Sequence, residues 1–529
     1  MKYHLKTKSP RVPALFGFAG LLAILILAAI DRLYNIKNIG ISGSDTFFYW
    51  NVARDWLDGK VTLSDHYRPL IYFIDAMGLK IWGVNDYSIK MLNSAGDLFN
   101  IVMVYLVSRT FLKNHAFNLL ATAVYAFSGS PVTLARSELA HTFSTTAMLI
   151  SFYFFALYAV AIKKRGCTAY LLVYLSGLFL SAAANMHPDL GICGLFYAVS
   201  IFVIVYRGSK NRCDYLNYLV NNTFLHLTLF CAGFSSIFIL AIYYFGLRNV
   251  MVSIASGAVG MGLANGFDLI VVIRNIFIAF IKDNSSIFTT ICFYISCLLM
   301  AVKIKLNKKD PAVNSLTLLL FSLYMLFCVT ISSAFSVSRL FSPFIPLIII
   351  FTLYWLNSFF EIYIGRRSIY LTAVFAVFML VSGRDLPNII NEKYEISVYR
   401  EVYDQLNHSV SENRALLITP FMIYQGAGRP GFKQRMYFGD NAVYLSDFNE
   451  GAFAEILHQK NIRYVFVSNV LYDERNLDKK GLQKKYTRLY MKSTSGYSYQ
   501  DEAASIENML REAGAKIIYQ SSNGKIYML

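Results

Sequence analysis

The chain has 529 residues, of which 56% are hydrophobic, 16% aromatic and only 15% charged. That balance excludes an ordinary soluble globule, whose surface needs far more charge, and it fits a chain that crosses a membrane many times. The net charge of +17 would suit a nucleic-acid binder, but it is gathered in short runs between apolar stretches: Lys163–Arg165, Arg207–Arg212, Lys303–Lys309 and Arg366–Arg367. Short basic loops mark the cytoplasmic side of a membrane protein, so this charge sets topology and no nucleic-acid partner is expected.

Residues 1–11 are polar and basic, and Pro13–Ile30 is an apolar run long enough to span. A poor cleavage site followed by Asp31-Arg32 predicts a retained first helix with a cytoplasmic N-terminus. Residues 31–87 form the first external loop. Within it, Ser42–Leu57 reads as a short helix at the membrane surface, capped by Ser42 or Ser44 and carrying Asp45 in its first turn. Trp50, Ala53 and Leu57 share one face of it, and Asn51, Arg54, Asp55 and Asp58 face away, with the aromatics expected in the lipid boundary. The bland reading of Asp45 is a carboxylate complementing the helix dipole. A half-apolar helix ending at Trp82-Gly83 completes the loop.

Further spans are expected near 88–106, 116–134, 142–162, 169–186, 190–205, 224–245, 287–302, 315–333, 340–360 and 370–381, about eleven in all. Residues 247–285 read as an external loop that opens rich in glycine. The odd count leaves the C-terminus outside, with the basic runs on the cytoplasmic face. The fold class is thus a polytopic α-helical membrane protein, residues 1–384, followed by an extracytoplasmic α/β domain, residues 385–529. In that domain Ala415–Thr419 and Arg463–Ser468 read as strands, and Ile506–Ala513 as a helix. A hairpin is expected to turn at Ser521–Gly524. It has no phosphate-binding glycine loop and no metal-ligand spacing, which suits acceptor recognition or a lid better than a second enzyme. The seven cysteines form no CxxC pair and none lies in the last 200 residues, so no disulfide framework is expected. With no sorting signal either, a bacterial plasma membrane is the expected location.

Ionisable residues near the outer ends of spans are the useful signal, because charge in a membrane is costly and usually functional. That set is Asp45, His66, Arg68, Asp75, Glu138, His141, His187, Asp189 and Arg339. Each has a bland reading alone: His66 and His141 as interfacial residues, Asp189 as a helix start after Pro188, Arg339 as an anchor. Asp97, inside the second span, would pair with Lys90. Together they converge on one membrane face. Acids that activate a hydroxyl, with Arg and His to hold a phosphate, are what sugar transfer from a lipid phosphate requires.

These residues also carry a resemblance. Asp45-Thr46-Phe47-Phe48-Tyr49 resembles the opening of the first external loop in polytopic glycosyltransferases of the C superfamily, GT-C, in particular the protein mannosyltransferase and aminoarabinose transferase branch. Arg68-Pro69-Leu70 and Trp82-Gly83 resemble that family's Pro-Pro-Leu element and Phe-Gly helix end, and Lys90-Met91-Leu92 its Arg-Leu pair. Arg136 with Glu138, His187-Pro188, and Arg339 with Pro343 and Pro346 follow in the family's order. The chain departs from the pattern in having a single proline after Arg68 and Glu138 where an aspartate is usual. No such match covers the C-terminal domain.

The resemblance implies an inverting transferase that uses a polyprenyl-phosphate sugar on the outer face, with Asp45 as base. Arg68, Arg339 and His187 would bind the donor phosphate, Glu138 would be a second acid, and His66, His141 and Asp189 would serve the acceptor or support the site. The partners implied are the lipid-linked sugar, membrane lipids and a lipid, glycan or protein acceptor. No cofactor is implied, and no ligand cluster demands a metal. Two other classes stay open. A flippase of lipid-linked sugars should show repeats or paired broken helices, and a polysaccharide polymerase or ligase should carry its arginines in a late loop.

Overall fold

The computed structural model describes residues 11–39, 44–61, 63, 68–112, 115–162, 167–209, 215–260, 295, 342–364, 368–382, 405–406, 414–418, 442–444, 457, 462–468, 499–521 and 524–529. The chain divides into two compact units. One takes in Met1–Ile36, Val61–Ile74 and Lys90–Asn391, and the other Lys37–Lys60, Asp75–Ile89 and Glu392–Leu529.

The helices, in chain order, are α1 Arg11–Leu33, α2 Ser44–Leu57, α3 Pro69–Trp82, α4 Ser88–Phe111, α5 His115–Ala126 and α6 Gly129–Ala135. They continue as α7 His141–Ala161, α8 Thr168–Met186, α9 Cys193–Ser209, α10 Tyr215–Phe245 and α11 Leu247–Gly260, then α12 Ile345–Ile364, α13 Ser368–Ser382 and α14 Tyr499–Glu512. Among the described residues, four helical stretches are long and apolar enough to cross a membrane: Ser88–Phe111, His141–Ala161, Thr168–Met186 and Val220–Phe245. Of the expected eighth span only Ile295 is described, and the ninth lies outside the described residues.

Two expected elements come out differently. The third span is broken into α5 and α6, because Ser128 is extended (φ −71°, ψ 140°) and its hydroxyl donates to the Val124 carbonyl. Pro131 sits in the first turn of α6, where its missing N–H costs no helical bond. The loop expected from residue 247 starts instead as helix α11, which runs through Gly257 to Gly260. Glycine lowers helix propensity without forbidding a helix whose apolar face has somewhere to pack.

In the first unit α8 packs against both α7 and α10. The α8–α10 crossing is set by two glycines. A Cβ on Gly177 would run into the Phe230 carbonyl, and one on Gly233 into the Tyr174 carbonyl. Small residues at such a crossing let two backbones approach, which supplies van der Waals contact where lipid removes the hydrophobic drive. Both clashes are with backbone, so neither can be relieved by a rotamer change. Gly233→Leu is therefore expected to destabilise the protein by about 1–3 kcal/mol or more, read as a lower melting temperature in detergent. An unchanged melting temperature would show that the helices can separate freely.

The second unit holds α2, the end of α3 and a five-stranded sheet of order β2-β1-β3-β5-β4. Its strands are β1 Arg414–Ile418, β2 Ala442–Tyr444, β3 Ile462–Ser468, β4 Lys516–Ser521 and β5 Gly524–Met528. β1 lies parallel to β2 and β3, with Leu416 opposite Val465. β5 is antiparallel to both β3 and β4, and β4 with β5 forms the hairpin that the C-terminal sequence predicts. Tyr464, Val465, Phe466 and Val467 are buried in succession, the pattern of a central strand covered on both faces.

Candidate functional site

Asp45 is the second residue of α2, in the first turn, where a carboxylate complements the helix dipole. What holds this helix differs from the expectation. Trp50 and Ala53 of α2 pack on Ala76 and Leu79 of α3 and on Ile89, with Trp56 and Leu57 against the same cluster. Phe48, Tyr49 and Trp50 are all buried in protein, so they are not lipid-facing aromatics. The Trp50 indole N–H donates to the Asn85 carbonyl at 3.1 Å, which satisfies the ring's polar end inside the cluster. Asn51 is also buried, correcting its expected outward position, whereas Arg54 and Asp58 do form an exposed i,i+4 pair at 2.9 Å. The turn beneath Trp50 is tied by Asn85, whose amide donates to the Trp82 carbonyl at 2.9 Å, and Lys37 places its ammonium over the Tyr87 ring. Asp75, in α3, is buried as well.

In the first unit, α4 presents a polar stripe at helical spacing: Lys90, Asn93, Ser94, Asp97 and Asn100, every one buried. Lys90 forms an ion pair with Glu138 at 2.8 Å, both side chains fully enclosed. Asn93 donates to the Ser137 and Leu139 carbonyls, and Ser94 to the Ala135 carbonyl. The stripe thereby shapes the link between α6 and α7, which carries Arg136 and Glu138 and ends at His141. Arg136 reaches back to the end of α1 and donates to the Asp31 and Tyr34 carbonyls at 2.7 and 2.9 Å. Those are carbonyls beyond the reach of helical bonding, and a cation is favoured there.

Asp97 does not pair with Lys90 as expected. Its partner is Arg32 of α1, at 2.6–2.7 Å, and its other oxygen accepts from Tyr125 at 2.6 Å and Asn100 at 3.3 Å. Arg32 donates further to the Ala28 and Ala126 carbonyls. The sequence separation of 65 residues explains why spacing pointed to Lys90 instead. Next to this network lies a cavity of about 10 Å³, room for a single water, lined by Asp97, Tyr125, His141, Thr142, Thr145 and Ser342 among others.

His141 opens α7 and His187 follows α8, and the structure brings them together, with ring centroids 5.4 Å apart and planes tilted by 39°. Both are buried. Pro188 favours an extended residue before it, and His187 is extended (φ −144°, ψ 95°), which ends α8. Asp189 lies in the following 3-10 turn, Pro188–Ile192. Arg68 is half-buried at the start of α3, its carbonyl accepting from the Ile71 and Tyr72 amides. His66 and Arg339 lie outside the described residues. Of the residues singled out from sequence, then, the first unit gathers Glu138 onto Lys90 and His141 onto His187. The Arg32–Asp97–Tyr125 network was missed. Its signal was present in the stripe 90, 93, 94, 97 and 100, polar at helical spacing in an apolar span. Among the described residues no three His, Cys, Asp or Glu side chains are grouped to hold a metal.

No family profile and no curated protein sequence matches this chain. Solved structures do. The oligosaccharyltransferase of Archaeoglobus fulgidus in its apo form matches with a TM-score of 0.56 at 10% identity, over 87% of this chain and 70% of that one. ArnT from Cupriavidus metallidurans in the apo state matches with a TM-score of 0.54 at 10% identity, over 97% of this chain and 98% of that one. ArnT bound to undecaprenyl phosphate follows at 0.49, 10% identity and 98% of each chain. The chain has the fold of the GT-C membrane glycosyltransferases, as its motifs led us to expect.

Proposed function

From a chain with the GT-C fold, we propose an integral-membrane glycosyltransferase that moves a sugar from a polyprenyl-phosphate donor to an acceptor hydroxyl at the outer face. The observation that carries this reading is a fold shared with ArnT over nearly the whole of both chains, on which Asp45 falls at the start of the helix after the first span. ArnT itself is also solved with undecaprenyl phosphate bound, which supports a lipid phosphate as the carrier here.

In the proposed reaction, Asp45 takes the proton of the acceptor hydroxyl as that oxygen attacks the anomeric carbon. The bond from that carbon to the phosphate oxygen breaks, and the polyprenyl phosphate leaves with the electron pair, inverting the anomeric centre. Arg68, His187 and Arg339 hold the phosphate, where cations and donors stabilise charge as it develops. Glu138, already paired with Lys90, is assigned to positioning the link that carries it. His141, whose ring lies against that of His187, orients that imidazole. His66 and Asp189 are assigned to the acceptor side. The C-terminal domain is assigned to acceptor recognition outside the membrane.

The test is transfer of label from a panel of radiolabelled polyprenyl-phosphate sugars in proteoliposomes holding the full chain. Label appearing in an acceptor, with free polyprenyl phosphate released, is expected. A lipid-linked sugar that changes leaflet without being consumed would replace this reading with a flippase.

A further inference from the structure

The corner between α10 and α11 is built rather than loose. Gly246 takes a left-handed conformation (φ +79°) that a side chain would disfavour, and its N–H donates to the Ile242 carbonyl. The Asn249 amide donates to the Phe245 carbonyl at 2.8 Å, closing the end of α10. From there α11 folds back so that Val250 and Ile254 pack on Phe238, Ala241, Ile242 and Phe245. Val250 and Ile254 therefore face inward, and the adjoining flank that carries Leu247 and Met251 is exposed.

That flank is apolar, and the polar Asn249 is exposed on the far side of the helix. Leu247 and Met251, one turn apart, are each 58% exposed, and Val252 is exposed beside them. Tyr243 and Tyr244, in the last turn of α10, are 82% and 76% exposed. Arg248 stands between Leu247 and Val252 around the helix, exposed, with no ion pair among the described residues. A solvent-facing helix would not place this much large apolar surface outward.

The flank follows directly on an α10 surface that is itself apolar and exposed. In Val220–Phe245 only 22% of the apolar window is covered by protein, against 61–67% in the other three crossing helices. Phe224, Ile239 and Leu240 are exposed along it. Exposed tyrosines at the end of such a helix mark the level of the headgroups, and a short helix with apolar flanks and one cation suits that layer.

We propose that α11 is an interfacial helix lying in the phospholipid headgroup layer, with Leu247 and Met251 in the acyl boundary and Arg248 on a lipid phosphate. This rests on α10 crossing the membrane and not on the transfer reaction, so either can fail without the other.

The test uses the full chain in vesicles of phosphatidylcholine brominated close to the headgroup, with Met251→Trp and, as a second variant, Leu247→Trp. Each added tryptophan is expected to lose most of its emission to the brominated lipid and little to iodide in the water. Quenching by iodide alone would overturn the proposal by placing the face in solvent. Protection from both quenchers, in chains that prove dimeric, would overturn it in favour of a second copy. For Arg248 the readout is the same tryptophan with brominated phosphatidylglycerol diluted into unbrominated phosphatidylcholine. An enrichment of the anionic lipid of about fivefold is expected, from the attraction of one basic side chain at an anionic surface. Its loss in Arg248→Gln supports the phosphate contact, and its persistence overturns it.

Discussion

Asp45→Asn is expected to lower sugar transfer by about 10²–10⁴-fold, the usual contribution of a positioned general base. The amide has nearly the same size as the carboxylate but cannot accept the proton of the incoming hydroxyl. Donor binding should survive, because the phosphate is assigned to cations and not to Asp45. The measurement is label transfer beside retention of a radiolabelled polyprenyl phosphate by the same vesicles. Loss of both would make Asp45 a residue of the fold. Transfer at the wild-type rate would remove it from the chemistry. The substitution should leave α2 in place, because that helix is held by Trp50 and Ala53 on Ala76 and Leu79, away from its first turn.

Asp97→Leu is expected to cost about 3–5 kcal/mol, because it strands the buried Arg32 guanidinium. Tyr125 and Asn100 would lose their acceptor in the same step. Arg32→Met combined with Asp97→Leu should recover most of that loss. Removing both charges ends the desolvation penalty that each imposes, and buried pairs exchanged for apolar groups are often neutral. The check is a set of melting curves in detergent for the two single variants and the double. If Asp97→Leu melts with wild type, the ion pair is not holding α1 to α4. The exposed pair of Arg54 and Asp58 gives the contrast: Arg54→Ala should shift stability by no more than about 1 kcal/mol, since water and salt already screen it.

The two expectations differ in kind. The Asp45 expectation concerns the proposed chemistry, and that residue could be singled out from its setting: an acid before an aromatic pair, just after the first apolar run. Asp97 bears on architecture, and its setting pointed to a nearby lysine. The His141–His187 pair shows the same divide. Each histidine stood out as an ionisable group near the end of a span, but their contact follows from how α7 and α8 pack and turn.

The sequence by itself determined the class of protein, the helices whose apolar runs match a membrane's thickness, the α2 helix and the strands beside the C-terminal hairpin. These follow from local periodicity and composition, which act over a few residues. It also placed Trp50, Ala53 and Leu57 on one face, though not what that face would meet. Only the tertiary structure decided that Trp50 buries its ring in protein, that Arg32 and not Lys90 neutralises Asp97, and that Lys90 meets Glu138. A buried charge takes whichever opposite charge the fold brings within hydrogen-bonding distance, and helices far apart in the chain can be neighbours in the bundle. Periodicity says which face of a helix is polar, but the identity of its partner is a property of packing.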